Sequence, residues 1–371
     1  MAEDDTANWD DFTVGLFWRT ATFLLPLRAL YWLLSPSVFL GGLYVGLLGA
    51  EAAAMTIVLA RYALRRLALV PGLILALLPS QVFWSAVTLK DAMVWLLYTC
   101  LALFILRSMK AEGRKLFLYG VLTGIFLILL AYTRQHSFVI ACWAVPIAAA
   151  LARPTASRIA GSLVLAIALP LAVGFGPAGI DLITGANPNQ MRVLNAENAE
   201  SAFVELPSEI KEAQELERQA SEATGERAEI LRRRAAQLRE DAAPEMIELE
   251  GEKTLAPSFR HLPRGLTAML FEPFPWTSSD STSLNLARLE TLVWYPILLL
   301  AAIGLSAAWR HRDLLAFPLT AGTATLFVYA LTEGNLGTAY RHRGEFVWVI
   351  ALLAGFGVVR IVAWRRKRVG S

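Results

Sequence analysis

Apolar runs of about 20 residues recur along this 371-residue chain, and they constrain its fold more than any other feature. A helix needs about 20 apolar residues to cross the hydrocarbon core of a bilayer. Hydrophobic residues make up 56% of the chain and charged residues 18%, whereas about a quarter of a typical soluble domain is charged. The sequence therefore predicts an all-α fold, a polytopic helical membrane protein with about nine or ten transmembrane helices.

Ten segments have this character, and the first is the least regular. It carries Arg19 and Arg28, so a membrane-spanning helix and an amphipathic helix lying in the interface both fit it. The interfacial interpretation leaves nine spans. The ten segments are residues 13–34, 38–60, 67–84, 92–106, 116–132, 138–151, 159–175, 289–308, 314–331 and 346–364.

Basic residues follow every second segment, and this alternation sets the predicted topology. The positive-inside rule places such loops in the cytoplasm. We therefore expect a multi-pass protein with a cytoplasmic C-terminus, and we expect the loop around Arg341 on the opposite side. The basic groups are Arg61, Arg65 and Arg66; Arg107, Lys110, Arg114 and Lys115; Arg153 and Arg158; Arg310 and Arg312; and the "RRKR" tail.

The segments predict an N-terminal transmembrane bundle at 1–175, an extracytoplasmic insert at 176–288 and C-terminal transmembrane helices at 289–371. Within the insert, small and apolar residues recur at helical spacing in "LPSEIKEAQELERQASEATGERAEILRRRAAQLREDAAPEMIELEGEK". Thr224-Gly225 in its middle is typical of a turn, so this stretch predicts a helical hairpin. A solvated spacer and a surface that docks a protein partner are both compatible with it.

Several cations lie in loops that are predicted to be outside, contrary to the charge rule. Arginine binds phosphate through forked hydrogen bonds and lysine supplies a point charge, so these residues are candidate phosphate ligands. The alternative is that they snorkel to lipid headgroups or pair with acids, for which Asp91, Glu272, Glu290 and Glu333 are available. The candidates are Lys90, Arg134, His136, Arg264, Arg341, His342 and Arg343.

Candidate acids are fewer. Asp91 begins the fourth segment, where capping of a helix N-terminus explains it equally well. Glu51 lies near the middle of a predicted span, a position that indicates function unless a neighbouring arginine pairs with it. No metal-ligand spacing is present, so no residue is assigned to a metal, and the cofactor is left open, a divalent metal included. The net charge of +3 does not indicate a nucleic-acid partner.

Three stretches resemble the bacterial membrane glycosyltransferases of the GT-C superfamily, nearest to the family 39 or mannosyltransferase-like proteins. They are "ALLPSQVFWSAVTLKDAMVWLL", "LPRGL…FEPFPW…LARLETLVWY" and "EGNLGTAYRHR", and the likeness covers most of the chain from residue 38 onward. The resemblance implies transfer of a sugar from a polyprenyl-phosphate donor to a glycan, lipid or protein acceptor. The reaction would take place on the outer face of the bacterial cytoplasmic membrane.

The resemblance also implies roles for particular residues. A carboxylate would take the proton of the acceptor hydroxyl, with Asp10, Asp11 and Asp91 as candidates, and the outside cations would hold the lipid phosphate. In the family the catalytic carboxylate follows a first span, whereas here no apolar span precedes Asp10 and Asp11.

Two other functions fit the same features. One is an O-antigen polymerase or ligase-like enzyme that uses polyprenyl diphosphate. The other is a non-catalytic membrane assembly or scaffold protein whose hairpin docks a partner.

Overall fold

The computed structural model describes residues 20–174, 208–222, 226–242, 255–277, 282–307, 309–333 and 336–369. These residues form helices and no β-strand, and eight helical stretches among them are long and apolar enough to cross a membrane. The predicted fold class is confirmed: the protein is an all-α, multi-pass membrane protein. The eight stretches are Val38–Leu77, Asp91–Lys110, Gly113–Ala131, Gln135–Ala152, Ala156–Val173, Ala287–Leu305, Arg312–Thr332 and Gly344–Arg368.

The described helices are numbered here in chain order. They are α1 (Ala21–Leu34), α2 (Val38–Leu64), α3 (Leu69–Leu77), α4 (Pro79–Ala86), α5 (Asp91–Lys110), α6 (Gly113–Ala131), α7 (Gln135–Ala152), α8 (Ala156–Gly174), α9 (Ser208–Glu222), α10 (Glu226–Ala242), α11 (Leu255–Phe271), α12 (Thr282–Leu305), α13 (Arg312–Thr332), α14 (Leu336–His342) and α15 (Gly344–Val369).

Two local features explain why ten segments are predicted and eight helical stretches are observed. Of the first segment, residues 21–34 form α1, whose 14 residues extend about 21 Å and are shorter than the hydrocarbon thickness, and residues 13–19 lie outside the described residues. The second and third segments are joined by a 3₁₀ turn, Arg65–Ala68, in which Arg65 has a φ of 51°. Helix α3 then ends before Leu78, because a residue that precedes proline disfavours the helical conformation.

The contacts divide the chain into two compact units, which are described separately. Unit 1 comprises Met1–Asn187, Val293–Thr325 and Gly344–Ser371, and unit 2 comprises Pro188–Leu292 and Leu326–Arg343. The sequence predicted the helices that follow the insert as a separate C-terminal group. Most of their apolar residues belong to the same unit as the N-terminal helices.

The centre of unit 1 is α5, which packs against α2, α6, α7 and α15. Because α6 returns antiparallel to α5, the N-termini of α5 and α7 lie at one end of the unit, and an ion pair described below places the start of α15 there too. We call this the carboxylate end. At the other end, Arg153 pairs with Asp313, and Lys110 and Arg310 line one cavity. We call this the basic end, since the predicted cytoplasmic loops meet there.

Glycines bring α12 and α15 into backbone contact within unit 1. A Cβ atom on Gly304 would collide with the carbonyl oxygen of Leu353, and one on Gly357 would collide with that of Leu300. Small residues allow such close approach between helices in a membrane, where van der Waals packing drives association. The α12–α15 pair therefore depends on these two glycines.

The predicted hairpin of the insert is confirmed as two helices of unit 2, α9 and α10, that pack against each other. Ala213, Ala235 and Leu238 form the buried seam, and Leu216 packs against them. On the solvent side, hydrogen bonds from Arg218 and Gln219 lower the pKa of Glu215 to about 2. The predicted turn at Thr224-Gly225 lies outside the described residues.

Candidate functional site at the carboxylate end

A buried ion network lies where three apolar helices of unit 1 begin. Asp91 is the first residue of α5, Arg134 precedes α7, and Glu345 is the second residue of α15. The guanidinium of Arg134 donates to Asp91 Oδ1 at 2.7 Å and also to Glu345 Oε1. Arg134 is 5% exposed, and the carboxylates are 0% and 1% exposed. One buried arginine thus joins two buried acids.

Hydrogen bonds from neighbouring side chains fix the position of Glu345. Ser137 Oγ donates to Glu345 Oε2 at 2.9 Å, and Trp348 Nε1 donates to the backbone carbonyl of Glu345 at 2.9 Å. The hydroxyl of Tyr98 donates to the carbonyl of Ser137 at 3.0 Å, and its ring stacks on Trp348. Both oxygens of Glu345 are therefore engaged within unit 1, which gives it a fixed geometry.

The charges of the network do not balance within these three residues, since two carboxylates share one guanidinium. Lys90, directly before Asp91, is half-buried, and His136, directly after Gln135, is exposed. Lys90 thus adjoins Asp91 in the sequence, and His136 adjoins Ser137. Both predicted phosphate ligands therefore lie at the carboxylate end of unit 1. Arg134 and Lys90 thus provide cations next to the two acids at this end of unit 1.

A second cluster of polar side chains lies next to Glu345. A Cβ atom on Gly344 would lie 2.7 Å from Trp95 Cζ2 and 3.1 Å from Gln81 Nε2, which places the amide of Gln81 and the indole of Trp95 together. Among the described residues, both amide atoms of Gln81 and the Nε1 of Trp95 are buried without a hydrogen-bond partner. Each such group costs about 1–3 kcal/mol. A polar ligand with both donors and acceptors would satisfy them.

The remaining predicted cations belong to unit 2, where Arg343 is 1% exposed. It donates to the carbonyls of Met269 at 2.9 Å, Ala268 at 3.4 Å and Glu272. The first two carbonyls are among the last four of α11, which have no partner within the helix. Arg343 therefore caps the C-terminus of α11.

Acids of unit 2 pair with two further candidates, as the alternative interpretation of these residues predicts. Arg264 forms an ion pair with Glu272, and His342 Nδ1 lies 2.5 Å from Glu333 Oε1. Arg341 is half-buried. Phosphate binding by these residues stays a prediction.

The other predicted acids lie in different surroundings. Glu290 accepts a hydrogen bond from the hydroxyl of Tyr340 at 2.7 Å, and Glu51 is exposed on α2 among the described residues. Asp10 and Asp11 lie outside the described residues. Of the three predicted catalytic acids, Asp91 is the one that the structure describes, and it lies in the buried network.

Sequence reasoning missed Glu345, Ser137 and Gln81. A signal for Glu345 was present, because it is an acid in the first turn of an apolar helix, as Asp91 is. Ser137 and Gln81 carry no such signal, since uncharged polar residues are common at the ends of membrane helices.

No protein-family model matches the chain, and no curated protein shows significant sequence similarity to it. The function proposed below therefore rests on the site itself and on the resemblance in the three short stretches.

Proposed function

We propose that the protein is a membrane glycosyltransferase. It transfers a sugar from a polyprenyl-phosphate donor to an acceptor on the outer face of the bacterial cytoplasmic membrane. The C-terminus is then cytoplasmic and the carboxylate end of unit 1 faces outward.

The buried network of Asp91, Arg134 and Glu345 is the observation that supports this proposal. Moving charged groups out of water costs several kcal/mol per ion, so the burial of an ion network contributes little net stability to the fold. Ionisable residues within membrane segments are accordingly functional sites by default. A carboxylate held in a fixed position beside cations is what this transfer reaction requires.

Asp91 is assigned as the general base. Glu345 has its two oxygens engaged by Arg134 and Ser137, so its role is to position Arg134. The Asp91 carboxylate accepts the proton of the acceptor hydroxyl while that oxygen forms a bond to the anomeric carbon. The bond from the anomeric carbon to the phosphate oxygen breaks, and its electron pair leaves with the polyprenyl phosphate.

Lys90 is assigned to the departing phosphate. It adjoins Asp91 in sequence, and a cation held there stabilises the negative charge that develops on the leaving group. Gln81 and Trp95 are assigned to the sugar, because a hydroxyl group donates to and accepts from an amide and accepts from an indole N–H.

The test uses the full-length protein in proteoliposomes. It is supplied with a panel of polyprenyl-phosphate-linked hexoses and pentoses and with a cell-envelope extract as the source of acceptor. Release of polyprenyl phosphate is measured by mass spectrometry. Asp91→Asn is expected to lower the initial rate about 100-fold or more, the contribution typical of a general base.

Asp313→Asn is the matched control, because it changes an acid at the basic end of the same unit, and it should keep the wild-type rate. Thermal unfolding of each variant confirms that the folded protein is compared. Turnover of a polyprenyl-diphosphate glycan instead of the monophosphate sugars would assign the protein to the polymerase or ligase class. An intact protein that consumes neither donor would refute the proposal in favour of a scaffold.

A further inference from the structure

A cavity at the basic end of unit 1 is lined by three parts of the sequence, two of which contribute cations. Its volume is about 180 Å³, and its polar lining comes from Tyr62 of α2, Lys110 of α5 and the stretch Arg310, His311, Arg312 and Asp313 before and at the start of α13. It lies at the opposite end of α5 from Asp91, so it is separate from the candidate site.

Positive charge dominates this cavity. Lys110, Arg310 and Arg312 line it, while Asp313 also pairs with Arg153 at 3.3 Å. Burial, and secondarily the charge of Arg310, lower the pKa of His311, so this imidazole is uncharged at neutral pH. Like charges around one small space repel one another unless an anion lies between them.

A further cation adjoins the same wall. Arg107 Nε donates to the hydroxyl of Tyr62 at 3.2 Å, and Lys110 Nζ lies 5.0 Å from the centroid of the Tyr62 ring. The ring of Tyr62 thus keeps the two side chains close to the cavity.

Exposed aromatic residues beside the cavity are of the types that are enriched at the level of lipid headgroups. Tyr62 is 43% and Trp309 73% exposed, and the guanidinium of Arg312 lies 5.3 Å from the Trp309 ring. Tyrosine and tryptophan are enriched where membrane and water meet, because one part of each ring system is apolar and another is polar. Basic pockets between transmembrane helices at this level suit anionic headgroups.

We propose that this cavity binds a phosphate group, supplied by the headgroup of an anionic phospholipid. Arginine and lysine provide the charge-assisted hydrogen bonds to the phosphate oxygens. The proposal concerns the basic end and does not depend on the glycosyltransferase function.

The experiment measures the thermal unfolding of the full-length protein in nanodiscs of phosphatidylcholine, with and without 20 mol% phosphatidylglycerol (about that fraction keeps the surface potential moderate). A third arm adds inorganic phosphate to the phosphatidylcholine nanodiscs, with chloride at equal ionic strength as its reference. The test variant is Lys110→Gln with Arg310→Gln. The control variant, Arg114→Gln with Lys115→Gln, removes the same charge from exposed positions at the start of α6.

Phosphatidylglycerol is expected to raise the unfolding temperature of the wild type and of the control variant by several degrees, and the test variant should lose most of that rise. A rise with inorganic phosphate that the test variant loses, without one for phosphatidylglycerol, supports the phosphate site and assigns it to a soluble ligand. Equal responses of the test and control variants, or no response to either ligand, would overturn the proposal.

Discussion

Arg134 joins two carboxylates that lie 43 and 211 residues away in the sequence, Asp91 and Glu345. Its planar guanidinium can bond two acids at once, which a lysine ammonium on a flexible stem does with less geometric definition. Arg343 in unit 2 is as deeply buried but donates to backbone carbonyls at the end of α11. The same residue type therefore serves an ion network in one unit and a helix terminus in the other.

Arg134→Ala should destabilise the protein strongly, because it leaves Asp91 and Glu345 buried without their shared cation. Breaking a buried ion pair in this way costs about 3–5 kcal/mol. Arg153→Ala removes the partner of Asp313 from an exposed pair, for which about 0–1 kcal/mol is expected. The measurement is the unfolding temperature of each variant in detergent.

The triple variant Arg134→Ala, Asp91→Asn and Glu345→Gln provides the internal check. It removes both carboxylate charges together with the arginine, so it should recover part of the stability that Arg134→Ala loses. Equal unfolding temperatures for Arg134→Ala and Arg153→Ala would show that the buried network contributes nothing beyond an exposed pair.

At the scale of elements, several pairs of described helices approach each other at glycines. Gly72 of α3 packs against Ile57 of α2, where a Cβ atom would collide with the isoleucine side chain. Gly304 and Gly357 serve the α12–α15 pair in the same way. The contacts at Gly304 and Gly357 hold α15 against α12, and α15, which carries Glu345, also packs against α5.

Gly304→Ala should lower the unfolding temperature by several degrees, because its methyl group would meet the backbone of α15, which cannot move aside as a flexible side chain can. Gly120→Ala is the matched control. Gly120 lies inside α6 with open space where a Cβ atom would be, so alanine there should be neutral or stabilise by up to about 1 kcal/mol. If both variants unfold at the wild-type temperature, the α12–α15 pair does not require glycine.

At the scale of the whole molecule, the basic loops lie at one end of unit 1 and the buried network lies at the other. Lys110, Arg153 and Arg310 lie at one end, and Asp91, Arg134 and Glu345 lie at the other. From the positive-inside rule we predict that the basic end is cytoplasmic.

Single-cysteine labelling tests this topology in a background in which the two native, buried cysteines, Cys100 and Cys142, are replaced by alanine. Ser221→Cys on the exposed face of α9 should react with a membrane-impermeant maleimide in intact spheroplasts. Arg366→Cys in the exposed C-terminal tail should react only after permeabilisation. The reverse pattern would invert the topology and place the carboxylate end in the cytoplasm.

The sequence by itself determined the all-α membrane class, most of the span positions and the two helices of the hairpin. These follow from properties that act locally, namely the length of apolar runs and the recurrence of Ala213, Leu216, Ala235 and Leu238 at helical spacing. It also singled out Asp91 and Arg134, because a charged residue at the end of an apolar run is conspicuous.

Only the tertiary structure decided which of these charged residues meet. Glu345 becomes a partner of Arg134 because α15 packs against α5, and Arg343, two positions earlier, caps α11 instead. The sequence predicted an interruption between the second and third segments, but the positive φ of Arg65 within it has no signature in the sequence. Contacts between residues far apart in the chain depend on how helices pack, and a one-dimensional pattern of apolar runs carries no information on that packing.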